Sequence, residues 1–412
     1  MIAFLILSVS LIVFLLGLDN SVQLIFDENH YVPAARAILS GLSDPNPEHP
    51  PLGKLLIAGG IFLFGDNPWG WRIPSAVAGA LSLTAVYKIA LRFWPSPKQS
   101  LWITFLALCT GGIYVQSRIA MLDTFATAFL LWGIWALIPS LVSKISSPHH
   151  ILGIVLLSLS VLCKWSSIPL YAILVALIFV TNFQVSTQRK FTALVFSRDF
   201  FILPLATYFV LYGVFIYFTD PPYQLSQLWN AQIQMFELQK SVAAPHPYAS
   251  AWYTWPLLIR PIWYLWEKIP DSANLVRGII FLPNPFITWS AVIAFFILLK
   301  NFLFAKRSPF AEQNNYQQKI FFCFIILFYF SWIIIPRKMS FMYYFYPTTV
   351  MLPFLLGFVF LQHPSGKTLI SRKAKIFAAI AFVFFVYFLP VFSGVPISST
   401  KIRMWAWFFN WI

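Results

Sequence analysis

Charge is what this sequence has least of. Of its 412 residues only 10% are Asp, Glu, Lys or Arg, against about 25% in soluble domains. Acids are the scarcer sign, 13 against 28 Lys and Arg, for a formal net charge of +15. With 59% apolar residues, the chain cannot cover itself with a polar surface in water, and its solvent is expected to be a bilayer. A basic balance points to nucleic acid only where the cations share a soluble face. Here they cluster between apolar runs, the pattern of the positive-inside rule, so membrane lipid and not nucleic acid is the expected partner.

Cysteine is also scarce. Cys109, Cys163 and Cys323 lie inside apolar runs with neither metal spacing nor an even-numbered framework, and they read as small core residues. No His/Cys metal spacing is present. Gly53-Lys54 lacks the upstream glycine and the following Ser or Thr of a phosphate loop, which argues against an ATP-driven pump. Broken-helix signals of a transporter are weak, and there is no internal repeat or low-complexity stretch.

What the chain does have is a succession of long apolar runs. About eleven spans can be placed, at roughly 2–18, 74–93, 100–115, 122–142, 151–163, 167–183, 200–218, 285–304, 319–335, 347–362 and 376–393. The run from Met1 to Leu18 lacks the basic start of a signal peptide and is followed by many others, so it is expected to be retained. The expectation is an all-α polytopic membrane protein forming a single domain over 1–412. If the N-terminus lies inside, the inner connections hold Arg92, Lys98, Lys144, Arg189, Lys190, Arg198, Lys306, Arg307, Lys367, Arg372, Lys373 and Lys375. Most acids then fall outside, and the odd span count puts the C-terminus outside. A bacterial inner or plasma membrane suits this pattern.

Two outer connections are long, 19–72 and 219–283, and structureless loops of that length are uncommon unless functional. The first carries helix signals. Apolar residues recur at three and four through Tyr31 to Leu39, with Pro33 in the first turn and Gly41 as a stop, and a second helix is expected from Pro51. Both read as helices lying along the membrane surface. The second connection is crowded with Trp252, Tyr253, Trp255, Trp263, Tyr264 and Trp266. These suit an interfacial belt or the lining of a sugar or lipid groove.

Several residues carry possible chemistry. Asp27 and Glu28 are adjacent carboxylates just beyond the first span, where burial is costly. They fit either a solvated helix cap or a general base that takes a proton from an acceptor hydroxyl. In His49-Pro50-Pro51-Leu52-Gly53-Lys54, Lys54 falls in a first helical turn, where a cation opposes the helix dipole. An external anion, or lipid headgroups, would explain it. Arg72, Arg118, Lys164 and Arg337 lie near the outer face, against the rule that set the topology. A phosphate-bearing lipid suits them, as does internal pairing, with Arg118–Asp123 the obvious pair. His246, in His246-Pro247-Tyr248-Ala249-Ser250, is a lone histidine that by itself signals little.

Taken in order, these elements resemble the protein O-mannosyltransferase family, within the polytopic (GT-C) glycosyltransferases that use polyprenyl-phosphate sugars. The resemblance rests on Phe26-Asp27-Glu28 with Tyr31, then His49-Pro50-Pro51-Leu52-Gly53-Lys54 and Gly65-Asp66-Asn67-Pro68-Trp69-Gly70-Trp71-Arg72. It continues through Ser117-Arg118 with Met121-Leu122-Asp123, Lys164-Trp165, His246-Pro247-Tyr248 with Ser250, Trp255-Pro256, and Pro336-Arg337 with Phe341, Tyr343, Tyr344 and Pro347. It implies a catalytic Asp-Glu pair at Asp27 and Glu28, a carrier-phosphate site near Arg118, eleven spans and an active site on the outer or luminal side. It also implies inverting transfer of mannose from a polyprenyl-phosphate carrier to Ser or Thr, with no metal or other cofactor required, although a divalent cation stays open. The 219–283 connection is too short for the large luminal insert of eukaryotic members, so the prokaryotic type is expected, with an undecaprenyl or decaprenyl carrier.

On this reading Lys54, Arg72, Arg118 and Arg337 meet the donor phosphate. Tyr31, His49, Asp123, Lys164, His246, Trp252, Trp255 and Tyr344 surround the substrate pocket. Two alternatives remain: sugar transfer to a lipid or glycan in the manner of aminoarabinose transferases, and a non-catalytic lipid or solute transporter.

Overall fold

The structure is a computed structural model and describes residues 1–141, 148–185, 194–219, 224–241, 246–270, 272, 274–304, 316–335, 339–361 and 370–411. Each of the eleven expected spans contains helix. In chain order these are α1 (Ile2–Leu15), α4 (Pro68–Phe93), α5 (Pro97–Cys109) with α6 (Gly112–Gln116), α7 (Leu122–Leu137), α8 (Pro148–Cys163) and α9 (Ile168–Val185). They continue with α10 (Leu194–Thr219), α12 (Pro285–Phe304), α13 (Tyr316–Phe330), α14 (Tyr346–Phe360) and α15 (Arg372–Ser393). Among the described residues six helices are long and apolar enough to cross a membrane, and five more apolar helices are shorter. The protein is therefore an integral membrane protein.

The long helices sort into two layers. The most apolar windows of α4, α7 and α14 are 72%, 78% and 83% buried, whereas those of α10, α12 and α15 are only 33%, 28% and 33% buried. The first three are the interior of the bundle, and the others turn most of their surface outward. An outward apolar face needs lipid as its solvent.

The first long connection folds as two helices, α2 (Glu28–Leu39) and α3 (Leu52–Phe64), packed on each other and on α4. Gly41 ends α2 with φ +67°, and the Leu42 N–H returns to the Ala37 carbonyl, a left-handed stop that glycine makes without strain. Helix α2 begins earlier than expected, so Pro33 lies within it and not in its first turn. Between α3 and α4 the backbones touch: a Cβ on Gly60 would meet the Gly70 carbonyl oxygen at 2.3 Å. The Asn67 side chain accepts from Trp69 N and Gly70 N to start α4, with Pro68 in its first turn.

The second long connection is not all helix. It holds α11 (Leu225–Ser241), β1 (Ile262–Lys268) and β2 (Leu275–Phe281). With β3 (Pro396–Ser398) these make an antiparallel sheet of order β1-β2-β3. The expectation of an all-α chain is corrected by this small sheet. Its third strand follows α15 directly, so the strand pairs between segments more than 100 residues apart, which no local pattern reports. The C-terminal segment is tied to the same connection: Trp411 donates its indole N–H to the Leu258 carbonyl at 2.6 Å, and Trp263 donates to the Trp411 carbonyl at 2.7 Å. Cys109 and Cys163 are buried and Cys323 is partly so.

Candidate active site

Several connections meet at one end of the bundle: the segment after α1, the turn before α7, the turn between α8 and α9, β1, and the segment before α14. Asp27 sits among them, at the N-cap of α2. Phe26 before it holds φ +50°, a left-handed conformation that costs a bulky residue about 1–3 kcal/mol and persists only where packing imposes it. The packing is visible. The Phe26 ring is stacked on Tyr264 at 4.6 Å and meets the edge of Tyr343 at 5.6 Å. Tyr264 is itself anchored, accepting a 3.0 Å hydrogen bond from the Gln116 amide.

The two carboxylates have different surroundings. Glu28 is fully buried and saturated. It accepts from Arg72 Nε and Nη2, both at 2.8 Å, from Ile25 N at 2.8 Å and from Ala120 N at 2.8 Å. Arg72 in turn gives its remaining donors to the carbonyls of Leu18, Ser21 and Gln23. All five guanidinium N–H groups are thereby engaged. Asp27 is half-buried. Its Oδ2 accepts from the Tyr31 hydroxyl at 3.1 Å and lies 3.5 Å from the Tyr343 hydroxyl. Burial raises its pKa above the ordinary carboxylate value; the Lys164 ammonium pulls it down and the Asp123 carboxylate pushes it up. A carboxylate with raised basicity and an open side is a proton acceptor.

Lys164 supplies the nearest strong positive charge. It donates to Asp123 at 2.6 Å. Its Nζ also sits over the rings of Tyr343 and Tyr344, at 5.2 and 5.5 Å from their centroids. The pair expected between Arg118 and Asp123 is not formed, because Asp123 faces Lys164. Arg118 instead caps the C-terminal end of α1, donating to the carbonyls of Phe14, Leu16 and Gly17 and, at 3.5 Å, Ser393. Lys54 is fully buried and donates to Asp44 and to the carbonyls of Asn46 and His49. Three of the four cations expected at the donor phosphate, Lys54, Arg72 and Arg118, thus hold protein groups, since folding brings carbonyls and carboxylates to each. The fourth, Arg337, lies outside the described residues.

A cleft of about 170 Å³ opens beside this centre, lined by His49, Lys164, Trp165, Phe236, Gln239, Lys240 and Trp332 among others. His49 faces the Tyr31 ring edge-on at 5.9 Å. Tyr344 is stacked face to face at 5.2 Å on Trp332, which forms one wall of the cleft. His246 is exposed and reaches the centre only through Phe341, which lies edge-on to His246 at 5.0 Å and nearly parallel to Tyr343 at 5.8 Å. Burial lowers the His246 pKa below the ordinary imidazole value. The two expected tryptophans are elsewhere. Trp255 is fully buried, donating to Ser250 and packed edge-on against Trp332 at 5.2 Å, so it supports the wall from behind. Trp252 packs on Tyr329 and borders an apolar groove of about 430 Å³ on another side of the bundle. Gln239, Lys240 and Trp332 line the cleft although nothing in their local sequence marked them, whereas Phe26, Tyr264 and Tyr343, packed beside Asp27, stood among the residues of the resemblance and of the aromatic-rich second connection.

Two family profiles match the chain: "Dolichyl-phosphate-mannose-protein mannosyltransferase" over residues 48–207, and "C-terminal four TMM region of protein-O-mannosyltransferase" over 224–411. A polyprenol-phosphate-mannose–protein mannosyltransferase of Mycolicibacterium smegmatis is 25% identical, with 94% of this chain and 87% of that protein covered. The S. cerevisiae protein O-mannosyltransferase Pmt1-Pmt2 complex bound to the sugar donor shares the fold with a TM-score of 0.82 at 12% identity, over 100% of this chain and 93% of that one. ArnT of Cupriavidus metallidurans bound to undecaprenyl phosphate is similar with a TM-score of 0.58 at 16% identity, over 94% of this chain and 69% of that one. With both profiles falling in register along most of its length, the chain belongs to the protein O-mannosyltransferase family.

Proposed function

We propose that the protein is an inverting glycosyltransferase that moves mannose from a polyprenyl-phosphate carrier to Ser or Thr hydroxyls of exported proteins. The observation that carries the mechanism is the setting of Asp27: it is the one member of the Asp-Glu pair that is only partly buried, and its Oδ2 meets the hydroxyls of Tyr31 and Tyr343 where Glu28 meets an arginine. The acceptor oxygen attacks the anomeric carbon while the carbon–oxygen bond to phosphate breaks. The hydroxyl proton goes to Asp27, and the carrier leaves as polyprenyl phosphate with the bonding pair. The Asp27 carboxylate also suits the positive charge that develops on the sugar ring. Lys164 stands where it can balance the leaving group, and the cleft beside it accommodates the donor head.

The sidedness follows the charge pattern. Eleven crossings would place every connection that builds the centre on one face, because each lies an even number of spans from the others. The meeting of Asp27, Asp123, Lys164, Tyr264 and Tyr343 at one bundle end supports that count. With the N-terminus inside, as the charge pattern favours, eleven crossings would have the site on the outer face and the C-terminus outside.

The test is sugar transfer in membranes from radiolabelled polyprenyl-phosphate-mannose. Label reaching protein with the wild type and not with Asp27→Asn supports the reading. Label reaching lipid or glycan would instead assign an aminoarabinose-transferase-like activity.

A further inference from the structure

We propose that Lys240 is a second cation for the phosphate of the lipid carrier, brought across the cleft from Lys164 by the amphipathic helix α11. The inference rests on the mannosyl-transfer reading and names a residue that it does not.

The cleft carries two ammonium groups, Lys164 and Lys240, together with His49 and Gln239, and no carboxylate is among its described lining residues. Lys164 is already matched by Asp123. Among the described residues Lys240 pairs only loosely, with Glu237 at 3.8 Å between exposed side chains, which contributes almost nothing. The Phe236 ring, 4.4 Å from its Nζ, steadies the ammonium in place. The cavity is therefore an anion site with positive charge to spare.

Helix α11 is fixed in position by its inner face. Met235 is fully buried, and Gln232 accepts a 2.8 Å hydrogen bond from Tyr208, which itself accepts from the Trp165 indole at 3.0 Å. At its C-terminal turn Gln239 donates to the Glu48 carbonyl at 2.8 Å, tying α11 to the loop that presents His49. The outward face repeats Trp229, Ile233 and Phe236, all well exposed, at the spacing of a helix lying in the membrane interface. That is the depth of a lipid phosphate.

The chemistry gives the second cation a specific task. The donor is a phosphodiester with one negative charge. When the bond to the anomeric carbon breaks, the phosphate becomes a monoester with nearly two charges. A cation added to Lys164 therefore holds the departing carrier more strongly than the incoming donor.

The experiment uses the full chain in phosphatidylcholine nanodiscs, with undecaprenyl phosphate as product inhibitor of mannosyl transfer and undecaprenol as the uncharged control. Lys240→Gln should weaken inhibition by undecaprenyl phosphate about 5–20-fold, with a smaller rise in donor KM, and Lys240→Arg should restore it. Equal inhibition of wild type and Lys240→Gln overturns the proposal. So does an effect seen only in discs containing phosphatidylglycerol, which would assign Lys240 to bulk headgroups. If the wild type transfers no mannose at all, the parent reading fails, and binding of undecaprenyl phosphate measured by native mass spectrometry still decides the role of Lys240 by the same ratio.

Discussion

Glu28 holds Arg72 through two parallel hydrogen bonds of 2.8 Å, wholly out of water. Adjacent in sequence, Asp27 and Glu28 are thereby separated in setting: Glu28 braces the fold, and Asp27 is only partly buried and meets the hydroxyls of Tyr31 and Tyr343.

Asp27→Asn should lower transfer by ~10²-fold or more, since the amide keeps the shape and removes the base. It should not destabilise the protein. The folded pKa of Asp27 is raised, first by burial, so the stability this group contributes is present below the ordinary carboxylate range and lost as pH rises through the raised value. At neutral pH the Asn variant should melt at or above the wild-type temperature, with the difference vanishing in acid. A lower melting point at neutral pH would contradict this assignment.

Glu28→Ala should behave in the opposite way. It strands the Arg72 guanidinium among carbonyls with its charge unpaired, at a cost of about 3–5 kcal/mol. Loss of folded protein on size-exclusion chromatography is expected, more than a change in kcat of the surviving fraction. A variant with normal yield and no turnover would make Glu28 a chemical participant.

Lys164→Met should move the acid limb of the pH–rate profile upward. Lys164 lowers the Asp27 pKa, whereas the Asp123 it leaves unpaired raises it, so both consequences act in one direction. Tyr31→Phe should shift the limb the same way, because its hydroxyl bonds to the charged form of Asp27. An unshifted limb in both variants would mean that Asp27 is not the titrating base.

Chelation should leave transfer intact. EDTA treatment of purified protein, followed by assay with labelled donor, checks this directly. Activity lost to EDTA and recovered with a divalent cation would show that the carboxylates do not act alone.

The helical spans were legible because each had to present about a bilayer's depth of apolar residues. The stop at Gly41, the helix after Pro51 and the core positions of Cys109 and Cys163 were equally local matters. The sheet was not legible, since β3 joins β2 across the whole of α12 to α15.

The site divides along the same line. Which residues carry chemistry was written in their types and order: a carboxylate pair beyond the first span, cations on the wrong side of the membrane, and aromatic-rich later connections. What each does depended on what folding brought beside it. Lys54, Arg72 and Arg118 looked alike as unexplained cations, but each acquired protein carbonyls, and two acquired carboxylates. Lys164 and Lys240 share a cleft although 76 positions separate them in the sequence. Sequence alone determined that this chain lives in a membrane and carries the parts of a sugar transfer. Only the tertiary structure decided which carboxylate is saturated by an arginine and which cations line the cleft, because partnership between buried charges is set by distances of a few ångströms among segments remote along the chain.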